Sequence, residues 1–423
     1  MTSEALNRVG YRRALASPEL RALFVAQLIS VSGTSVAAVA LTVLVYARTT
    51  SPVLSALTFS LGFLPYLVVG ALLSSIADRV RPRRLVTCCD GASALLAASM
   101  AWPSMPVPAL LGLLFVIGGL SSLASGSRAA LVRNAVSEEA YVPGRSLMRI
   151  AAQVAQLAGN AGAGVLLLVV SPSGALLVNG ASFAISAATI RFVVGDHDRF
   201  GAAAGGPVPG SLRGARAVLA NAELRRLLLL LWLVPMFEVA PEALAAPYVA
   251  AQHGSSSLVG WWLTALPVGI IGGDIIGVRF LSPQQQRRIV VPAAAAVFVP
   301  YLAFGLDPAV QVAIPLLVAA GACGCYVLGL DARIRDTAPL PLFARTMTVS
   351  TAGLMALQGA GFALAGAMAQ VLGPATAIAV SGGCGIVAVV LLSGVRLPTR
   401  RSRNSGRDKE EPACPELVSS PDE

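Results

Sequence analysis

The chain has 423 residues, of which 56% are hydrophobic and 12% are charged, and its formal net charge is +10. A soluble globular chain is about one quarter charged, so this composition excludes a water-covered surface of this size and indicates a lipid environment. The positive charge does not indicate a nucleic-acid-binding protein, because the basic residues form short clusters between long apolar runs, without interleaved aromatic residues.

The apolar runs predict membrane-spanning α-helices, since about 20 apolar residues cross a bilayer core of about 30 Å. In chain order, the twelve predicted spans are 22–47, 53–77, 85–104, 108–127, 146–170, 174–194, 227–250, 257–280, 289–306, 310–330, 347–371 and 375–395. Proline marks several boundaries, as at Pro52, Pro108, Pro172 and Pro374. We therefore expect an all-α integral membrane protein with twelve transmembrane helices.

The basic residues predict the orientation of these spans. Among the 31 lysines and arginines, all except Arg48 fall on one side once helix-end residues are counted with their loops. Because positively charged loops stay in the cytoplasm, both termini are predicted to be cytoplasmic in a multi-pass protein of the cell (plasma or inner) membrane. Trp102, Trp261 and Trp262 lie at predicted outer helix ends, where tryptophan anchors helices at the interface.

A long basic loop divides the spans into two groups of six. This plan predicts two pseudo-symmetric six-helix bundles with a substrate path between them near the midplane, as in many transporters. We expect a monomer that contacts the lipid bilayer and a small-molecule substrate. The predicted units are a cytoplasmic N-terminal segment (1–21), the first bundle (22–195), a cytoplasmic central loop (196–226), the second bundle (227–398) and a disordered cytoplasmic tail (399–423).

Acidic residues inside predicted spans are candidate functional groups, because an ionisable residue at the bilayer centre costs at least about 2.5 kcal/mol. Glu238 lies near the middle of the seventh span, and Glu242 lies four residues later on the same helix face. Burial beside a like charge favours a protonated carboxyl, which can carry protons during transport. Asp274 in the eighth span is a further candidate, while structural pairing is the alternative for all three. Pro241 predicts a local break between the two glutamates.

Polar side chains at helical spacing form two further candidate groups. A polar stripe in lipid must face protein or a water-filled cavity, so it can line a substrate cavity or join helices. The candidate cavity-lining residues are Gln27, Ser30 and Thr34 in the first span, and Gln153, Gln156 and Asn160 in the fifth.

The loop between the second and third spans reads SSIADRVRPRRL at residues 74–85. It resembles the hallmark loop of the major facilitator superfamily, Gly-x-Leu-Ala-Asp-Arg-x-x-Arg-Arg, in sequence and in position. The resemblance implies the fold of that superfamily and a conformational latch on the cytoplasmic side. A loop that serves only as a basic anchor is the alternative. The latch candidates are Asp78, Arg79, Arg83, Arg84 and, early in the third span, Asp90.

Three weaker similarities point to one branch of that superfamily. The stretches 127–132, 213–231 and 353–374 resemble the drug and siderophore exporters, including enterobactin exporters. In the fifth span, 159–164 resembles the Gly-Pro-x-x-Gly-Gly motif of exporters, but Asn160 replaces the proline. The motif therefore supports export less than its complete form would.

These observations favour a secondary-active exporter of small lipophilic molecules that is coupled to proton influx. A facilitator-type importer of a small metabolite remains an alternative, as does a transport-dead membrane sensor or scaffold. An enzyme is disfavoured, because His197 and His253 lack a second ligand at metal spacing. The sequence predicts neither a cofactor nor a metal site, and no P-loop for ATP is present.

Overall fold

The structure is a computed structural model that describes residues 15–72, 80–137, 141–196, 216, 218–338 and 343–394. Among these residues the chain is helical and forms no β-strand. The helices are α1 (Pro18–Thr49), α2 (Pro52–Leu72), α3 (Pro82–Met100), α4 (Val107–Ala135), α5 (Tyr141–Leu166), α6 (Pro172–Val193), α7 (Ala222–Glu238, Ala240–Ala243 and Ala245–Ala251), α8 (Ser256–Phe280), α9 (Pro283–Ala296 and Val299–Leu302, with a 3-10 turn at Ala303–Leu306), α10 (Val310–Ala322 and Tyr326–Thr337, joined by a 3-10 turn at Cys323–Cys325), α11 (Phe343–Leu372) and α12 (Pro374–Gly394).

Proline starts many of these helices, as the sequence predicted. Pro52, Pro172 and Pro374 each occupy the first position of a helix, where the missing amide proton has no intrahelical acceptor. Ser17 and Ser171 cap α1 and α6 by accepting a hydrogen bond from a first-turn amide. These local signals fix where the helices begin.

Eight of the described helices are long and apolar enough to cross a membrane, and the bent α7 would make nine. The other three are α2, α3 and α5. The described apolar part of α2 is short, at Pro52–Pro65. The helix α3 carries Arg83, Arg84 and Asp90, while α5 carries a polar stripe. Polar residues that face protein or a water-filled cavity lower the apolarity of a helix without preventing it from crossing the bilayer.

The helices pack into two groups that match the two predicted bundles. In the first group, α1 packs against α5 and α6, α3 packs against α4 and α6, and α2 packs against α4. In the second group, α8 packs against α10, and α7 packs against α11 and α12. Two helix pairs, α2 with α11 and α5 with α8, form most of the contact between the groups. The fold is therefore an all-α membrane fold of two helical halves.

The bundle has two ends, which differ in the helix termini that they carry. The distal face is the end at which α1 stops and α2 starts, and the terminal face is the end at which α1 starts and α12 stops. The limits of the predicted cytoplasmic segments stay predictions, because 1–14, 197–215 and 395–423 lie outside the described residues.

Candidate functional site

The helix α7 breaks in the middle of the second half. Its outer segment is bent by 41° from the rest of the helix. Pro235 lies inside the first segment and Pro241 is the second residue of the short middle segment, and each proline removes one amide donor from the helix. The helix is interrupted at Val239, directly after Glu238 and between the two glutamates as expected. The 41° bend lies further on, at Leu244.

Two buried aromatic side chains satisfy backbone carbonyls at this break. The Tyr301 hydroxyl donates to the carbonyl oxygen of Glu238 at 2.9 Å, and the Trp262 indole donates to that of Pro241 at 2.8 Å. Inside a membrane such carbonyls need a partner, which the protein supplies here. The expectation that Trp262 anchors the interface is wrong, since it is 1% exposed, whereas Trp102 and Trp261 are exposed.

The carboxyl groups of Glu238 and Glu242 lie near this break. Glu238 is 9% exposed, and Glu242 is close enough to repel it electrostatically. Among the described residues, no arginine or lysine forms an ion pair with either carboxyl, and no side chain donates a hydrogen bond to them. Tyr301 and Tyr326, both buried, lie near Glu238. An ionised carboxyl without a partner is costly to bury in such a site.

The break in α7 also touches the first half. Its short middle segment, Ala240–Ala243, packs against α11 and α12 and, across the interface, against α2. The outer segment, Ala245–Ala251, contacts α1 and α2. Any movement between the halves therefore changes the surroundings of the segment that carries Glu242.

The interface between the halves is closest near the distal face, where α5 meets α8. A methyl carbon added to Gly260 would lie 2.3 Å from the amide nitrogen of Gly164, closer than real atoms approach. One turn away, Asn160 donates to the carbonyl oxygen of Leu263 at 3.3 Å. Only glycine permits this backbone approach.

The pair α2 and α11 closes the other side of the same interface. The Phe362 ring stacks on Phe59 and Phe63, with ring centroids 5.2 Å and 5.4 Å apart. Ser60 donates to the carbonyl oxygen of Gly359 at 2.9 Å, and Ser51 donates to the Gln370 side chain at 3.2 Å. Between described residues, the hydrogen bonds that join the halves all lie between the distal face and the middle of the helices.

The structure separates the residues of the two predicted polar stripes. Gln153 and Gln156 are exposed on α5, whereas Asn160 is buried at the interface. On α1, the exposed Thr34 donates to the carbonyl oxygen of the buried Ser30. Asn160 therefore joins the halves in this conformation, while the two glutamines are free of such contacts among the described residues.

The remaining predicted stripe residue of α1, Gln27, belongs to a polar network inside the first half. Arg128 donates to both carboxylate oxygens of Asp90, at 2.6 Å and 2.8 Å, and to the Gln27 side chain at 3.4 Å. Ser186 adds a hydrogen bond to Asp90 at 2.7 Å. The helix α4 continues to Ala135, past the predicted end of the fourth span at Ser127, and the Arg128 charge in this extension is neutralised within the bundle. Asp90 is thus satisfied within one half.

The loop at residues 74–85, which resembles the superfamily hallmark, has described arginines that contact the end of α6. Arg83 donates to the carbonyl oxygen of Arg191, and Arg81 forms an ion pair with Asp196 at 2.9 Å. That hydrogen bond lowers the pKa of the exposed Asp196 carboxyl below its usual value. Arg84 is exposed. Asp78 and Arg79 lie outside the described residues, so the latch stays a prediction.

Asp274 lies apart from the two glutamates, at the packing seam between α8 and α10. Its Oδ1 atom is buried without a hydrogen-bond partner among the described residues. The neighbouring Gly273 approaches the carbonyl oxygen of Ala322 so closely that a methyl carbon would clash with it. The structure therefore does not bring Asp274 into the site at the α7 break.

Known proteins resemble this chain in sequence pattern and in fold. The family model described as transmembrane secretion effector matches residues 13–420. No protein with a curated description matches the sequence significantly. A variant of the nucleoside transporter NupG superposes with a TM-score of 0.72 at 12% identity, covering 89% of this chain and 99% of that one.

Two other solved structures share the fold. A bacterial homolog of the human lysosomal transporter Spinster, inward-facing and occupied, gives a TM-score of 0.67 at 14% identity over 88% of this chain and 94% of that one. A POT family transporter in complex with 5-aminolevulinic acid gives 0.66 at 12% identity over 88% and 95%. The chain therefore belongs to the transmembrane secretion effector family and is a multi-pass membrane transporter of the major facilitator superfamily.

Proposed function

We propose that the protein exports small lipophilic organic molecules, such as drugs, natural products or siderophores, in exchange for protons. The observation that carries this proposal is the pair of acids at the α7 break, Glu238 and Glu242, which have no positive partner among the described residues. A buried carboxyl without a cation is held neutral by a proton and is charged only when water or a cation reaches it. Such a group links proton movement to conformational change.

The position of the break supplies this link. The middle segment of α7 contacts α2 of the opposite half, so separation of the halves admits water to the acids. Proton release in one conformation and uptake in the other makes transport depend on the proton gradient. The distal contacts between the halves favour an assignment of this conformation as closed on the distal side and open toward the terminal face.

The orientation of the chain follows from its basic residues. We infer that the terminal face is cytoplasmic, because the predicted spans assign nearly all arginines to that side. Both termini would then lie in the cytoplasm, and the protein would lie in the plasma or inner membrane. The latch formed by Asp78, Arg79, Arg83, Arg84 and Asp90 would then act on the cytoplasmic side. The protein is proposed to act as a monomer, since each chain holds both halves.

The test is transport by purified protein in proteoliposomes with an imposed pH gradient. The panel consists of lipophilic cations, neutral drugs and siderophores. Proton-coupled export is supported if substrate accumulates against its own gradient only when protons flow across the membrane in the opposite direction. Equal equilibration with and without the pH gradient would instead support a facilitator-type importer, and no movement of any compound would support the sensor or scaffold alternative.

A further inference from the structure

We propose that a pocket at the terminal face of the second half binds an anionic amphiphile, a phosphate-bearing lipid of the adjoining leaflet. The pocket has a volume of about 340 Å³ and lies between α7, α9, α10 and α12. It lies inside one half, away from the interface with the other half and from Glu238. The inference does not depend on which substrate is carried or in which direction.

The polar rim of the pocket carries two arginines. Arg226 lies near the start of α7, and Arg333 lies near the end of α10. Within the described part of the chain, the Arg333 guanidinium forms no hydrogen bond or ion pair, although it is only partly exposed. Arginine presents several donors in a planar fork that matches two oxygens of a phosphate.

The surrounding charges leave this rim positive. Arg287, which also acts on Arg333, is already paired with Asp336 at 2.7 Å. Glu223 lines the same pocket and contributes one negative charge against the two arginines. Two like charges beside an apolar wall repel each other, so a bound anion is stabilised there.

The inner wall of the pocket is apolar. It is formed by leucine and valine side chains of three helices, namely Leu227, Leu230, Val291 and Leu392. Leu230 lies one turn deeper in α7 than Arg226, which places the apolar wall toward the membrane centre. This order, with cations at the face and apolar residues beneath them, matches a phosphate head group above an acyl chain.

The test uses the full chain purified in detergent and native mass spectrometry with added phosphatidylglycerol or phosphatidylcholine. We expect the wild type to retain phosphatidylglycerol and to lose phosphatidylcholine. The variant Arg333→Gln should retain about tenfold less phosphatidylglycerol, as expected from the loss of a charge-assisted contact. The matched control is Arg288→Gln, an exposed arginine of the same face outside the pocket, which should retain as much as the wild type.

A second variant covers the case in which Arg333→Gln does not fold. Leu392→Trp keeps every charge but fills the pocket from its apolar wall, and it should reduce phosphatidylglycerol retention to a similar extent. Inorganic phosphate alone should leave the thermal stability unchanged, whereas phosphatidylglycerol should raise it. Equal retention of the two lipids by the wild type, undiminished retention by both pocket variants, or a phosphate shift equal to the lipid shift would each overturn the proposal.

Discussion

Asp90 in α3 and Glu238 in α7 are both buried acids, one in each half, but their surroundings differ. Arg128 and Ser186 satisfy the Asp90 carboxylate with hydrogen bonds of 2.6–2.8 Å. The Glu238 carboxyl has neither a cation nor a donor among the described residues, while its backbone carbonyl does have a partner. The first half therefore fixes a charge in place, whereas the second half holds an acid that no cation among the described residues neutralises.

The largest effect is expected from breaking the ion pair of the first half. Asp90→Asn leaves the Arg128 charge inside the bundle without its counter-charge, and breaking a buried pair costs about 3–5 kcal/mol. Thermal unfolding in detergent should show a large loss of stability. The double variant Asp90→Asn with Arg128→Gln should regain part of it, because no unpaired charge remains. A single variant as stable as the wild type would contradict a structural role for this pair.

The next largest effect is expected at the contact between the halves. Gly260→Ala places a methyl carbon against Gly164 and forces α5 and α8 apart near the distal face. Overpacking costs about 1–3 kcal/mol, so the distally closed conformation should lose about tenfold in population. Disulfide crosslinking between cysteines introduced at Ser51 and Gln370, in a chain whose native cysteines are replaced, measures this population.

Two glycines provide controls for this variant. Gly162 on α5 and Gly272 on α8 have nothing within 4 Å of an added methyl carbon. Gly162→Ala and Gly272→Ala should crosslink at the rate of the parent chain. If Gly260→Ala crosslinks equally fast, the close approach of the two backbones does not govern closure.

A smaller effect on stability is expected at the second buried acid. Glu238→Gln replaces a carboxyl that we infer to be neutral with an amide of the same shape, so the loss should stay within about 1 kcal/mol. Thermal unfolding of Glu238→Gln and Asp90→Asn under the same conditions compares the two losses of stability directly. A loss as large as that of Asp90→Asn would mean that Glu238 is charged and paired, and the contrast between the halves would disappear.

The smallest effect is expected for the exposed ion pair between Arg81 and Asp196. The hydrogen bond from Arg81 lowers the pKa of Asp196, so any stabilisation is present above the ordinary aspartate pKa of about 3.9 and is lost as pH falls through the lowered value. Because the pair is exposed, Asp196→Asn should leave the unfolding temperature unchanged at neutral pH. A measurable loss at neutral pH would show that the end of α6 depends on this contact.

Much of the fold could be predicted from local sequence. Apolar length predicted the helices, and prolines predicted both their starts and the break between the two glutamates. The helix α4 continues past the predicted end of the fourth span, and Arg128 in this extension looks like a loop residue in the sequence until Asp90 is placed beside it. A charge that is neutralised by a partner 38 residues away leaves no local signal.

The contacts of the candidate site were less predictable. The acids Glu238 and Glu242 could be found because charges within an apolar run are conspicuous. The partners at the break, Tyr301 and Trp262, come from other helices and look like ordinary apolar or interfacial residues in the sequence. The approach of Gly260 to Gly164 likewise depends on packing between the halves, which helical periodicity does not encode.

The most direct test of the proton-carrying role is transport by Glu238→Gln in proteoliposomes with an imposed pH gradient. The matched control is Asp307→Asn, an exposed acid of the distal loop between α9 and α10. We predict that Glu238→Gln still equilibrates substrate across the membrane but no longer accumulates it in response to the gradient, while Asp307→Asn accumulates it like the wild type. Full gradient-driven accumulation by Glu238→Gln would contradict the assignment of Glu238 as the proton carrier.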